Sequence, residues 1–415
     1  MAFTSLKKID DRTVSFTLSP THVAYANTLR RLILTGVETV AFRADMSTTT
    51  GATSDVTIHH NDTAMTNEML AHRIGLLPLY SKEPLKWNPA TYTFKLDVMN
   101  NGDTIQDVTA ADFRVFKNTE SGSDQEEVPS NIFFTPDSIT GETCLIATLQ
   151  PGEKQRISLT AKASIGSGRE NARFIPVSQC SYEYTRDTNP EKQMRVFQKW
   201  LQHSKKVELT DLPEGSDHRA ALLREFNTME VARCFLQDNN GEPYSFDFVV
   251  ETAGILDVQY IVHRACDIGE VLVGRFATIS SGELPTELSI GPAESRIVGF
   301  DFLFKGHDHT LGNLLQTWLV QNHIEGTATP RISYAGYKVP HPLYDEMLLS
   351  IGVEDGQETT ARQAVANACA SIVNMFRNFR ESWIQINGGT VARAVPASKT
   401  VTIRRRTPKV LSHAM

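Results

Sequence analysis

Residues 14–34 read VSFTLSPTHVAYANTLRRLIL and residues 300–320 read FDFLFKGHDHTLGNLLQTWLV. A shift of 286 positions places Val14, Phe16 and Leu18 on Phe300, Phe302 and Phe304, Asn27 on Asn313, Leu29 on Leu315, and Ile33 on Leu319. Each stretch has apolar residues at period two, then a turn, then apolar residues at helical spacing. The chain therefore carries one strand–turn–helix unit twice. Two copies are too few for a solenoid and point to a pseudo-symmetric pair of domains.

Around the first copy, Ser19-Pro20 suits an N-cap followed by Pro at the first helical position. Val23, Ala26, Leu29 or Arg30, Ile33 and Val37 then recur at helical spacing, and Gly36 offers a stop. Residues 37–46 predict a strand. From 46 to 178 the chain is rich in Thr, Asn, Asp, Gly and Pro, with strand-like runs at Tyr92–Val98, Phe113–Phe116 and Cys144–Leu149. Inside it, TNEMLAHRIGLLPL (66–79) reads as a short helix closed by Gly75 and Pro78, and NTESGSDQEEVPSN (118–131) as a mobile loop. Beyond it, QCSYEY (179–184) and YSFDFVVET (244–252) read as strands, and 190–203 and 216–230 as helices. Residues 256–278 set Val258, Ile261, Ala265, Ile268 and Leu272 on one helical stripe, and 280–295 are linker-like. Around the second copy, strands are predicted at 297–304, 331–335 and 346–353, and helices at 309–323 and 358–382. The last helix aligns Ala361, Val365, Ala368, Ile372, Met375 and Phe379 on one seam.

The predicted fold class is α+β: two related units packed across a pseudo-twofold axis, with a β-rich domain inserted into the first. The boundaries are 1–45 and 178–285 for the first unit, 46–177 for the insertion, 286–295 for a linker, 296–385 for the second unit and 386–415 for a basic tail. Apolar seams meeting across the axis hold the halves at roughly 25 cal/mol per Å². The residues predicted to make that contact are Leu29, Ile33, Val258, Ile261, Ile268, Leu315, Leu319, Val365, Ile372 and Phe376.

At 415 residues, with 21% charged and 40% hydrophobic residues, the chain has the composition of a two- or three-domain globular protein. A net charge of −7 argues against a chain-wide grip on nucleic acid. No stretch approaches 18 uninterrupted apolar residues, and MAFTSLKKIDDRTVSF lacks the apolar core of a signal peptide. Five scattered cysteines without a CxxC pair fit free thiols in a reducing compartment and argue against structural zinc.

AYANTLRRLIL followed by TNEMLAHRIGLLPL resembles the signature of the α-like large subunit of multisubunit RNA polymerases, the third-largest in eukaryotes and D in archaea. AKASIGSGRENARFIPVSQCSYEY (161–184) and GEPYSFDFVVETAGIL (241–256) resemble later segments of the same subunit. DHTLGNLLQTWLVQN (308–322) and YAGYKVPHPLYDEMLLSIGV (334–353) resemble the α-like small subunit, the eleventh in eukaryotes and L in archaea. In the family these are two chains forming a heterodimer, so the resemblance implies a fused pair of dimerisation domains. It implies a non-catalytic assembly platform that docks the β-like and β′-like subunits, joined by small subunits similar to the eukaryotic tenth and twelfth. DNA and RNA are met only through the complex, and no membrane is involved. A fused pair suggests the polymerase of a large cytoplasmic DNA virus. That places the chain in the host cytoplasm or virus factory, with packaging in the virion a further expectation, or in the nucleus if the host system differs. Many relatives carry a cysteine cluster in the inserted domain; YSKEPLKWNPATYTF (80–94) has none, so no metal and no cofactor is expected.

The first helix, with Asn27, Arg30 and Arg31, and EMLAHR, with Glu68, His72 and Arg73, face the β-like subunit by this resemblance. An internal salt bridge or a solvated face is the competing reading of Arg30 and Arg31, and local structure that of Glu68, His72 and Arg73. The second copy has Gln316 and Thr317 in their place, so the two helices are not equivalent docking surfaces. HDH (307–309) reads as a turn with Asp308 as cap rather than a metal site, and His59-His60 as a strand or loop pair. Gly166-Ser167-Gly168 lacks the rest of a phosphate loop. YKVPHPL (337–343) is either a contact edge or a rigid connector. In the tail, Arg404, Arg405, Arg406 and Lys409 suit electrostatic binding of nucleic acid or an acidic partner, or simple solvation. An independent enzyme and a stand-alone nucleic-acid-binding factor are the rival functions.

Overall fold

The structure, a computed structural model, describes residues 2–45, 55–118, 125–137, 140–294 and 297–389. The chain begins with β1 (Ala2–Lys8), β2 (Thr13–Ser19) and α1 (Val23–Thr35). Next come β3 (Glu38–Ala41), β4 (Val56–Asn61), α2 (Asn67–Gly75), β5 (Tyr92–Met99), β6 (Gln106–Thr109), β7 (Arg114–Asn118) and β8 (Gln125–Val128). β9 (Leu145–Leu149), β10 (Arg156–Ala161), β11 (Ser164–Ser167), β12 (Val177–Tyr184), α3 (Pro190–Trp200), α4 (Asp217–Glu225), β13 (Phe246–Thr252) and α5 (Val258–Gly274) follow. The last group is β14 (Leu288–Pro292), β15 (Gly299–Lys305), α6 (His309–Leu319), β16 (Tyr334–Lys338), β17 (Glu346–Gly352) and α7 (Glu358–Ile386).

One four-stranded sheet has the order β1-β2-β13-β12 and another the order β14-β15-β17-β16. Helices follow the same strands in each: α1 after β2 and α5 after β13, α6 after β15 and α7 after β17. The 286-residue shift holds in the structure. It relates β2 to β15, the cap His22 to the cap Asp308, and the start of α1 to the start of α6. The cause is the alternation seen in the sequence. Phe16 and Leu18 on β2, and Phe302 and Phe304 on β15, turn to one side and are buried under the helices.

Both sheets and α1, α5, α6 and α7 share one continuous core. Leu29, Ile33, Val258, Ile261, Leu315, Leu319, Val365, Ile372 and Phe376 are all buried in it. α5 lies along α7, and α1 along α6. A Cβ on Gly269 of α5 would stand 2.6 Å from the Phe376 ring, so only glycine lets α7 come this close. β1 closes the core from the other end of the chain: Phe3 packs against Phe379 and Trp383, and its N–H donates to Ser382 Oγ at 2.9 Å.

Between α1 and β12 a five-stranded sheet, β4-β10-β5-β7-β8, builds its own core around Phe42, Phe94, Phe113, Phe133 and Phe134. Between β12 and β13 a third, smaller core forms around Phe197, Trp200, Leu222 and Phe226 of α3, α4 and their last turns. That these helices pack on one another had no signal in their sequence.

Several expectations are corrected. Pro20 does not begin α1; His22 caps it, its Nδ1 accepting from the Ala24 N–H at 3.1 Å. Gln125–Val128, inside the stretch expected to be a mobile loop, pairs with β7 as an edge strand. Leu288–Pro292, inside the expected linker, pairs with β15, burying Leu288 and placing Pro292 on a sheet edge where a missing N–H is tolerated. Ile268 is half-buried against the shared core, its Cγ2 3.4 Å from where a Cβ on Gly36 at the end of α1 would stand. The tail residues Arg404, Arg405, Arg406 and Lys409 lie outside the described residues.

Candidate docking surfaces

α1 turns its apolar residues into the core, which leaves Asn27, Arg30 and Arg31 on its half-buried polar side. The two arginines have different fates. Arg31 reaches the second half, where its Nε donates to Thr310 Oγ1 at 2.8 Å and its Nη2 lies 3.4 Å from Asp308 Oδ2. Asp308 in turn caps α6, accepting from the Thr310 N–H at 2.7 Å. Burial opposes charge on the Asp308 carboxyl, but the Thr310 hydrogen bonds and the Arg169 and Arg31 guanidiniums outweigh it and hold its pKa below the ordinary value. Arg31 is thus the internal salt bridge of the two readings.

Arg30 points elsewhere. Its Nε donates to Asn27 Oδ1 at 3.0 Å. Among the described residues no carboxylate comes within ion-pair distance of it. With Asn27 and Cys180–Tyr184 it lines an open cavity of 530 Å³ between α1 and β12. Burial pushes the Cys180 thiol up to about 12, against the pull of the Arg30 charge. That thiol stays protonated at neutral pH and is no nucleophile.

α2 lies at a separate place, packed on β4 and β9. Thr66 caps it through the Met69 N–H, with Glu68 in the first turn and His72 and Arg73 in the last, as the helix dipole favours. All three charged or polar side chains are exposed. Arg73 is tied down, donating to the Ile146 carbonyl at 2.9 Å and the Leu145 carbonyl at 3.0 Å, and so pins β9 to α2. The surface gains two residues that sequence reasoning missed, Met69 and Leu76, 57% and 56% exposed. Their signal was available: neither belongs to the Leu70–Ala71–Ile74 face that this helix buries.

The remaining motifs resolve into packing. His307 is buried against the Phe276 and Phe304 rings, and burial lowers its pKa. Asp308 caps, and His309 faces Tyr337, so HDH does not converge. His59 bonds Thr160 and His60 bonds Asp62, on different partners. A Cβ on Gly166 would strike the Phe174 ring at 2.6 Å, so this glycine serves close packing in β11. No group of three or more His, Cys, Asp or Glu able to hold a metal occurs among the described residues. Leu343, closing YKVPHPL, and Tyr344 after it are exposed, and Arg169 anchors this turn by bonding Asp345 at 2.7 Å and the Gly306 carbonyl at 2.9 Å.

What this arrangement offers chemically is binding: two polar and apolar surfaces on a rigid, doubled α+β frame. The chain belongs to the RNA polymerase Rpb3/Rpb11 dimerisation domain family, whose models match residues 15–270 and 300–382. It is 27% identical over 272 residues to DNA-directed RNA polymerase subunit Rpo3 of Pyrococcus horikoshii, covering 63% of this chain and 91% of that one. It is 26% identical over 279 residues to Rpo3 of Thermococcus kodakarensis, covering 64% and 92%. With DNA-directed RNA polymerase II subunit RPB3 of Schizosaccharomyces pombe it shares 27% over 295 residues, covering 69% and 89%. No described helix is long and apolar enough to cross a membrane.

Proposed function

We propose that this chain is a non-catalytic assembly subunit of a DNA-dependent RNA polymerase, on which the β-like and β′-like subunits dock for transcription. One observation carries the reading: two sheets of identical strand order and helix placement, matched by dimerisation-domain models, share one core in a single chain. The two units form a pseudo-twofold pair, with residues 46–177 as a domain inserted into the first. The second unit is the counterpart of a separate archaeal L-type subunit. Joining it to the first raises its effective concentration to roughly millimolar. A viral polymerase working in the host cytoplasm accords with such a fusion. Small subunits similar to the eukaryotic tenth and twelfth complete the platform.

The β-like subunit meets Asn27 and Arg30 in the α1 groove and Glu68, Met69, His72 and Leu76 on α2. Arg31 and Arg73 support these surfaces from within, since their donors are already engaged. A tagged chain expressed with the two largest subunits is expected to recover both, and recovery of neither refutes the reading. Template-directed RNA synthesis by the isolated chain would overturn its non-catalytic assignment.

A further inference from the structure

The strand pairings put Tyr182 and Tyr337 in equivalent places. Phe16 pairs with Phe248, which pairs with Tyr182; Phe302, 286 positions after Phe16, pairs with Leu349, which pairs with Tyr337. Both tyrosines stand on the outer strand of their sheet, beside the helix of the repeated unit. In the second half that edge is closed. The Tyr337 N–H donates to Gln316 Oε1 at 3.1 Å, and its ring lies over Gly312, where a Cβ would stand 2.3 Å away. The residues at these helix positions in the first half are Arg30 and Ala26. Arginine has no acceptor to give.

The backbone of β12 is therefore open. The Thr185 N–H donates inward to the Ser245 carbonyl at 3.0 Å, and antiparallel pairs alternate between bonded and non-bonded. By that alternation Cys180, Tyr182 and Tyr184 turn their N–H and C=O groups away from β13, along the edge that bounds the groove. On the same side the Arg30 guanidinium, lacking a carboxylate partner among the described residues, faces Tyr182 and Cys180. An exposed edge and an unneutralised cation together select one kind of occupant.

We propose that an extended segment of the second-largest polymerase subunit adds to the sheet along β12, with an acidic side chain on Arg30. Its backbone carbonyl takes the place at Tyr182 that Gln316 takes at Tyr337. This rests on the assembly reading above and specifies how one of its partners is held. The second half, closed by its own Gln316, offers no such edge, so the same segment has one binding place on a doubled frame.

The test compares backbone amide exchange, resolved by residue, in the chain alone and in its purified complex with the second-largest subunit. Tyr182 and Tyr184 amides are expected to slow at least tenfold on complex formation, while the Ser181 and Glu183 amides, already bonded to β13, change little. Arg30→Glu, checked for an unchanged melting temperature, is expected to weaken the complex about tenfold or more, and Arg30→Lys to retain most of the affinity. A complex that forms without protection at 182 and 184 overturns strand addition and leaves the assembly role standing. Failure of the wild-type chain to form any complex removes both. Protection already present in the chain alone, with a dimeric mass by light scattering, assigns the edge to a second copy and overturns the proposal.

Discussion

The α1–β12 and α6–β16 pairs are built from the same strand register and the same helix start, yet one is open and the other sealed. Two substitutions account for it. Glycine at 312 admits the Tyr337 ring and glutamine at 316 satisfies its N–H, where Ala26 and Arg30 do neither. The connections beyond these edges differ in the same sense. β16 reaches β17 through a short turn, while β12 reaches β13 only after α3 and α4 with a core of their own. A repeated fold thus becomes directional through its edges and connections, with its central core left alike.

The largest effect is expected where the halves depend on each other most. Phe376→Ala should cost about 3–5 kcal/mol, by emptying the space between α5 and α7, and should lower the melting temperature of the entire double unit in calorimetry. A transition in which one half melts alone would break the comparison, because the shared core would then not be shared. Next, Gly312→Leu should force α6 and the Tyr337 ring apart at a cost of about 1–3 kcal/mol, read by denaturant titration. A neutral result would show that the sealed edge is not sealed by this contact.

Smaller is the tie between α1 and α6. Asp308→Asn keeps an N-cap but removes the charge that Arg31 meets, and since both side chains are over a third exposed the loss should be about 0.5–1 kcal/mol. The folded pKa of Asp308 is depressed, so its contribution is present above the ordinary carboxylate range and lost as pH falls through the lower folded value. The stability gap between wild type and Asp308→Asn should therefore close below about pH 4. Smallest of all, Arg30→Gln copies the second half into the first. Stability should stay within about 0.5 kcal/mol, while the Tyr182 amide of the free chain exchanges more slowly, as a glutamine acceptor arrives.

The doubled strand and helix were readable because their signals are local: period two and period 3.6; the cap of α1 was misplaced by three residues, at Ser19 rather than His22. The α7 seam, Ala361 through Phe379, was readable for the same reason, and every residue named for it is buried. What escaped depends on distant neighbours. β8 and β14 are short edge strands whose order comes from pairing with β7 and β15, so a polar or proline-containing run gave no hint of them. Arg31 looked like a surface arginine because the groups it bonds are more than 270 residues away. That Ile268 also comes close to Gly36 at the end of α1 is set by tertiary packing rather than by spacing. At the candidate surfaces the sequence singled out the polar residues only as a group. It could not say that Arg73 and Arg31 bond groups far along the chain, while Arg30 bonds its neighbour Asn27 and has no carboxylate partner among the described residues.

The contact of Phe3 with Ser382 joins residues 379 positions apart. A ribosome adding roughly 5–20 residues per second needs on the order of tens of seconds to cover that distance. During that time the first strand has no last helix to lie against, and the α5 face that will receive Phe376 is bare. β1 must wait for the final turns of α7. A stop codon placed in the final turns of α7 would be felt at residue 3, 379 positions earlier.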